Sequence, residues 1–255
     1  MIRPMSESPE PWYETAFQDD YRLVYAHRDL DAARAEAALL VEAGVSGRVL
    51  DLCCGFGRHS LALAELGLDV FGMDLSMDLL RAAPELPRFS QRLGGRLVRG
   101  DVSDLPFGEG VFDSLVVLFS SFGYFGEDGD ARMLDGVARV LRPGGLAVLD
   151  LMNPARIRAG LVPASERSGP DFTLSERRSL LDGGSRVRKQ VELSREGEPT
   201  RSWVEDVRMY EAEEIRALCS ARGLVIERML GDFDGSPLEE GSPRMIALAR
   251  RGVMG

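Results

Sequence analysis

Arg48-Val49-Leu50-Asp51-Leu52-Cys53-Cys54-Gly55-Phe56-Gly57-Arg58-His59-Ser60 decides how this chain is read. A short apolar run ends in an acid, passes a turn with two glycines, and opens onto a helix-like stretch from Leu61 to Leu66. The pattern predicts strand, tight turn and helix, with glycine where the backbone bends sharply or lets a ligand close. The unpaired N–H groups at such a helix start cradle anionic ligand groups. A glycine pair has many uses, so the segments around it carry the decision.

Working outward, apolar runs at 48–52, 69–73, 96–99, 112–118 and 145–151 read as buried strands, and helical stretches near 59–66, 76–83 and 128–141 separate them. Buried strands alternating with helices imply a mostly parallel sheet covered on both faces, an α/β architecture. Leu141-Arg142-Pro143-Gly144-Gly145 reads as the turn that launches the fifth strand. Asp31 to Ala43, rich in alanine and leucine with an acid as cap, predicts a helix. Residues 1–12 are rich in proline and polar groups, as loosely ordered termini are. Tyr13, Phe17, Tyr21 and Tyr25 then recur on one helical face. Such a stripe either faces a core or closes over a cofactor.

After Pro154 the rhythm breaks. Residues 155–170 read as a loop, and Phe172 to Leu180, Arg186 to Leu193 and Arg201 to Tyr210 alternate apolar with charged residues. Asp182-Gly183-Gly184 and Glu196-Gly197-Glu198-Pro199 between them suit hairpin turns. A three-stranded antiparallel insertion follows, with one face solvated or laid over a substrate. Glu211 to Arg222 returns to helical spacing, and Leu224 to Leu230 and Met245 to Ala249 read as two final strands.

Composition narrows the function. A net charge of -10 argues against a phosphate-tracking surface, so DNA is not an expected partner. No apolar run reaches membrane-spanning length and the N-terminus lacks a secretory core, so no membrane partner and a cytoplasmic address are expected. Cys53 and Cys54 are adjacent and Cys219 is distant, which gives neither a disulfide framework nor a metal-ligand spacing.

Three carboxylates, Asp51, Asp74 and Asp101, each end a predicted parallel strand. Ligands of open parallel sheets bind beyond those ends. Asp74 suits a bidentate hydrogen bond to the two hydroxyls of a ribose, Asp101 an exocyclic adenine amine, and Asp51 an ammonium held directly or through water.

With these residues in place, 46–154 resembles the class I S-adenosylmethionine-dependent methyltransferases. The glycine turn resembles their first motif, Asp74 their ribose-binding acid, and Gly100-Asp101-Val102-Ser103-Asp104-Leu105-Pro106-Phe107 their adenine segment. Phe112 to Phe119 resembles the fourth-strand motif, and Leu141 to Leu149 the entry to the fifth. Asp51 to His59, Val207-Arg208-Met209-Tyr210 and Ser242-Pro243-Arg244 extend the likeness into a bacterial small-molecule branch. Cys53 departs from it, standing where the family often has glycine.

The resemblance implies S-adenosylmethionine as cofactor and a Rossmann-like, seven-stranded, mostly parallel sheet whose last strand is antiparallel. It places that domain in 1–154 and 207–255, with 155–206 as a small antiparallel β insertion covering the acceptor pocket. It implies contacts from Asp51, Cys53, Gly55 and Gly57 to the methionine part, with Arg58 or His59 near its carboxylate. Leu75 and Met77 would flank the adenosine, Val102 the adenine, and Leu118 and Phe119 the methyl-donor end. Tyr13, Phe17, Phe119 and Tyr124 are candidates to face the sulfonium, where cation–π attraction is worth about 0.5–2 kcal/mol.

Methyl transfer is an in-line displacement that needs alignment and exclusion of water. A base is required only for an acceptor that arrives protonated. His27 and Tyr124 are the catalytic candidates, and His59 reads as a packing or carboxylate contact. Asn153, Arg208, Tyr210 and Arg244 are candidates for the acceptor pocket, though each also reads as an ordinary strand-end or loop polar residue. Phe119-Ser120-Ser121-Phe122-Gly123-Tyr124 lacks the Asn/Asp-Pro-Pro-aromatic segment of amino-methylating DNA enzymes and the Pro-Cys of cytosine-C5 enzymes. The expected reaction is therefore N- or O-methylation of a small molecule by a monomer or homodimer. Two rivals stand beside it: a non-catalytic S-adenosylmethionine-binding protein, and a NAD(P)-dependent oxidoreductase that uses Gly55-Phe56-Gly57 with an acid about twenty residues on.

Overall fold

The protein is described by a computed structural model covering residues 11–18, 20–25 and 29–253. The glycine turn follows β1 (Arg48–Leu52), and β2 (Asp69–Asp74), β3 (Leu97–Arg99), β4 (Phe112–Val117) and β5 (Leu141–Met152) come next in the chain. These five pair in parallel. A separate antiparallel sheet then forms from β6 (Ala164–Ser168), β7 (Phe172–Leu181), β8 (Arg186–Arg195) and β9 (Arg201–Arg208). The chain returns to the first sheet as β10 (Leu224–Leu230) and β11 (Arg244–Arg251), giving the order β10-β11-β5-β4-β1-β2-β3. β11 runs antiparallel to both neighbours. The expected seven-stranded, Rossmann-like sheet is present with its reversed last strand.

Alternation along the strands serves two cores. Val49 packs with Ala33, Ala37 and Leu40 of α3 (Leu30–Glu42) and Leu61 and Leu63 of α4 (Arg58–Glu65). Leu50 and Leu52 point the other way, into Met133, Leu134 and Val137 of α7 (Gly126–Val140) and Ile215 of α9 (Ala212–Ser220). Short helices complete the chain: α1 (Trp12–Ala16), α2 (Tyr21–Val24), α5 (Met77–Ala82), α6 (Phe89–Arg92) and α8 (Pro154–Gly160). Helix starts are satisfied by side chains: Asp29 accepts from Ala32 N at 2.9 Å, and Ser76 from Leu79 N at 3.2 Å.

Three local expectations are corrected. The aromatic stretch holds two short helices, one ending at Ala16 and the next starting at Tyr21, rather than one. Residues 155–170 are not a loop, since they hold α8 and β6, so the insertion has four strands rather than three. The Leu141–Gly145 turn is absorbed into β5, whose register against β4 shifts between Phe112 and Ser114.

The N-terminal segment lies on the second sheet. Ala16 and Val24 pack with Leu174, Val191, Leu193 and Trp203. Asp20, almost fully buried, receives Arg195 at 2.5 Å and also pairs with Arg201. Arg167 donates to the Val24 carbonyl at 2.8 Å.

Candidate functional site

The turn after β1 takes its shape from backbone angles that side chains resist. Cys53, Gly55 and Gly57 have φ of 61°, 59° and 83°, all left-handed. That explains why glycine suits position 53 elsewhere and marks Cys53 as a strained substitute. Gly55 borders a cavity, and a Cβ on it would meet nothing nearer than Leu79 at 3.8 Å, so the space it leaves belongs to the cavity.

Asp74 locks this turn to the next. Its Oδ2 accepts from Gly55 N at 2.7 Å and its Oδ1 from Ser76 N at 2.8 Å. Burial pushes its carboxyl up against those hydrogen bonds. Asp51 is likewise pushed up by burial, opposed by the nearby His59 and by Ser60, whose hydroxyl donates to it at 2.6 Å. Asp101 accepts from Ser103 N at 2.8 Å. Ser76 Oγ donates to the Phe17 carbonyl at 2.6 Å, tying the N-terminal segment to the β2 turn.

A second strained turn follows β4. Phe119 and Ser120 are consecutive non-glycine residues at φ 68° and 58°. Asp150 holds them: its Oδ2 accepts from Phe119 N at 2.6 Å and its backbone carbonyl from Ser120 N at 3.0 Å. Arg244 clamps Asp150 in turn, with Nε 2.6 Å from Oδ1 and Nη2 2.5 Å from Oδ2.

These turns wall a cavity of about 150 Å³. Cys53, Gly55, Asp74, Leu75, Asp101, Val102 and Phe119 of the expected cofactor set line it, and Tyr13, Phe17 and Tyr124 close it from above. Among the described residues its charged lining is Asp74, Asp101 and Glu205, all acids. Asp51, Arg58 and Leu118 line a smaller adjoining cavity of about 40 Å³, in which the Arg58 guanidinium lies 5.1 Å from the centre of the Phe119 ring. Beneath the four-stranded sheet a third cavity of about 480 Å³ shares Tyr25, Met152, Glu205 and Val207 with the first.

Several expected site residues fall elsewhere. Gly57 lines none of these cavities: it is the left-handed cap of α4, where a Cβ would press on Leu97 at 3.0 Å. Met77 is 36% exposed, and its neighbours Ser76 and Leu79 line the cavity instead. His27 lies outside the described residues. His59, by contrast, lines the small adjoining cavity with Asp51 and Arg58 and also hydrogen-bonds Glu36.

The four acceptor candidates also line none of the three cavities, because their polar groups serve the frame. Asn153 donates to carbonyls at Glu239, Glu240 and Ser242, and Arg244 clamps Asp150. Arg208 pairs with Glu127 and with Glu214 at 3.0 Å. The Tyr210 hydroxyl donates to buried Asp130 at 2.7 Å.

Sequence reasoning missed Glu205 and Lys189. Lys189 Nζ sits 2.8 Å from Glu205 and 3.7 Å from Glu176, and the Tyr25 hydroxyl donates to Glu205 at 2.9 Å. Burial, then the Glu205 charge, push the Tyr25 phenol well above its usual range. A signal existed: each interrupts an apolar alternation, Val187-x-Lys189-x-Val191 and Trp203-x-Glu205-x-Val207.

Comparison with known proteins agrees with this geometry. Residues 49–145 match a family model described as a methyltransferase domain. The cypemycin N-terminal methyltransferase of a Streptomyces species is 29% identical over 214 residues, covering 80% of this chain and 82% of that one. The structure of the CcbJ methyltransferase from Streptomyces caelestis superposes with a TM-score of 0.78 at 22% identity, covering 94% of this chain and 99% of the other. CalS10 with bound S-adenosylmethionine, an amino pentose methyltransferase from Micromonospora echinaspora, gives 0.62 at 22% identity, covering 98% and 100%. Among the described residues no helix is long and apolar enough to cross a membrane.

Proposed function

We propose, from the premise that the chain belongs to the class I S-adenosylmethionine-dependent methyltransferases, that it methylates a nitrogen or oxygen of a small molecule. The single observation behind the acceptor's size is the roofed cavity under the four-stranded sheet, which joins the donor cavity at Tyr25, Met152, Glu205 and Val207. Its volume of about 480 Å³ lies within the range of small-ligand sites. The domain is read as 1–154 with 207–255, and 155–206 as the insertion that roofs the acceptor. The rival readings as an oxidoreductase or a non-catalytic binder give way to the methyltransferase assignment.

The lining fits S-adenosylmethionine: an open glycine at position 55, acids at the strand ends, and aromatic rings with no lining cation among the described residues of the donor cavity. When bound, S-adenosylmethionine supplies a methyl group activated on a positively charged sulfur. Asp74 would hold the ribose, Asp101 and Val102 the adenine, and Asp51 with Arg58 the amino-acid end. Tyr13, Phe17 and Tyr124 exclude water and present ring faces to positive charge. Tyr124 stacks on Phe17 at 5.9 Å and meets Trp12 edge-on at 4.7 Å, so it serves better as a wall than as a base. Phe119 and Ser120, fixed by Asp150 and Arg244, set the surface against which the acceptor is aligned. The N-terminal methyltransferase among its relatives supports nitrogen over oxygen.

Incubation of the full chain with methyl-labelled S-adenosylmethionine and a bacterial small-molecule extract tests this reading. Label is expected in a low-molecular-mass product. Label confined to protein or nucleic acid, or no transfer at all, would contradict it.

A further inference from the structure

The inner face of the four-stranded sheet is apolar except where polar residues stand in register. Lys189 on β8 is paired directly with Glu205 on β9 and with Arg178 on β7, and Glu176 with Ser165 on β6. On β8 and β9 this polar band is flanked by Val187 paired with Val207 and Val191 paired with Trp203. Charged groups placed in such a layer are expensive to desolvate unless they serve a polar ligand or pair closely. Here they pair, and they also face the third cavity.

Glu205 occupies a singular place in that band. It borders both the donor cavity and the cavity under the sheet. Asp74 and Asp101 stand at strand ends suited to the cofactor, which leaves Glu205, among the described residues, as the charged lining residue of the donor cavity on the acceptor side. We infer that the cavity under the sheet takes a polar amine, its ammonium received by Glu205 at the junction with the donor cavity and one proton passing to that carboxylate before the neutral nitrogen accepts a methyl group. This rests on the methyltransferase reading above and goes beyond it by naming the acceptor's charge and the residue that selects it.

This corner already holds one ammonium, that of Lys189, and Glu205 also accepts from Trp203 Nε1 at 3.2 Å. Lys189 Nζ lies 2.8 Å from Glu205 and 4.6 Å from the centre of the Tyr25 ring, a carboxylate and an aromatic face converging on one cation. Tyr25, which donates to both Glu205 oxygens, borders both cavities, so its hydroxyl can yield that place to an incoming donor. At the far side Ser165, Arg167 and Arg178 line the same cavity beside Glu166 and Glu176, with Arg178 paired to Glu176, so hydrogen-bond donors and acceptors both face the rest of the ligand.

Matched probes test this. With S-adenosylhomocysteine saturating, the full chain is titrated calorimetrically with glucosamine and 3-amino-1,2-propanediol, and with glucose and glycerol as their alcohol counterparts. Each amine is expected to bind about tenfold or more tighter than its counterpart, as a charge-assisted hydrogen bond would give. E205Q is expected to remove that preference while S-adenosylhomocysteine affinity stays within about twofold of the wild type. No amine preference in the wild type, or a preference unchanged by E205Q, overturns the inference. If E205Q does not fold, the wild type decides by pH: the preference must fade as the amines lose their proton. Failure of S-adenosylhomocysteine itself to bind would instead overturn the methyltransferase reading.

Discussion

The parallel sheet and the four-stranded sheet solve opposite problems. In the first, the central strands β1, β4 and β5 are largely buried and carboxylates sit where strands end, held by backbone N–H groups, as Gly55 N and Ser76 N hold Asp74. In the second, charged side chains at the strand ends and on the inner face are held by ion pairs and hydrogen bonds to residues distant in sequence. Asp20 meets Arg195 and Arg201, and Tyr25 meets Lys189 and Glu205. On the reading proposed above, the cofactor frame would be set by topology, whereas the proposed roof over the acceptor would be set by side chains that substitution can change without rebuilding the sheet.

That contrast is breakable at its strongest point. Asp150→Ala leaves the largely buried Arg244 guanidinium unpaired and releases the Phe119–Ser120 turn. A loss of about 3 kcal/mol is expected in urea unfolding, as for other broken buried pairs. A change below about 0.5 kcal/mol would mean that the clamp is ornamental. Asp74→Ala is next: cofactor affinity should fall about tenfold or more with two charge-assisted hydrogen bonds removed. Unchanged affinity would detach Asp74 from the ribose.

Asp20→Asn tests the roof. Losing the partner of Arg195 and Arg201 should cost about 1 kcal/mol and speed amide exchange in 12–25, leaving β1 and β2 protected. Equal acceleration in the parallel sheet would mean that the two regions unfold as one.

The smallest effect concerns pH. Burial raises the Asp51 carboxyl in the folded protein, so the folded state holds its proton more tightly. Its contribution to stability is full below the unfolded carboxylate pKa of about 3.9 and is lost as pH rises through the folded value. Asp51→Asn, whose amide oxygen still accepts from Ser60, should therefore be more stable than the wild type at neutral pH and lose that advantage in acid. It should also bind cofactor more weakly. An advantage that grew in acid would reverse the sign assigned to burial.

Legibility followed the same division. Five parallel strands, three acids and the glycine turn were readable because buried apolar runs and strand-end acids are local patterns. β6 was not, since all five of its residues are exposed and leave no alternation to read. Glu205 was written into an apolar alternation, yet only cross-strand register shows that it faces Lys189 and a cavity. Arg208, Tyr210, Asn153 and Arg244, read as acceptor candidates, stand outside the three cavities, with their polar groups paired to other residues of the chain.

Calorimetric titration of S-adenosylhomocysteine into wild type, D74A and E205Q in parallel tests the division of donor and acceptor halves most directly. Binding to wild type and E205Q alike, with a loss of about tenfold or more in D74A, is the predicted result. Weakening by E205Q as great as by D74A would contradict it, because Glu205 would then belong to the cofactor and the cavity under the sheet would lose its claim on the acceptor.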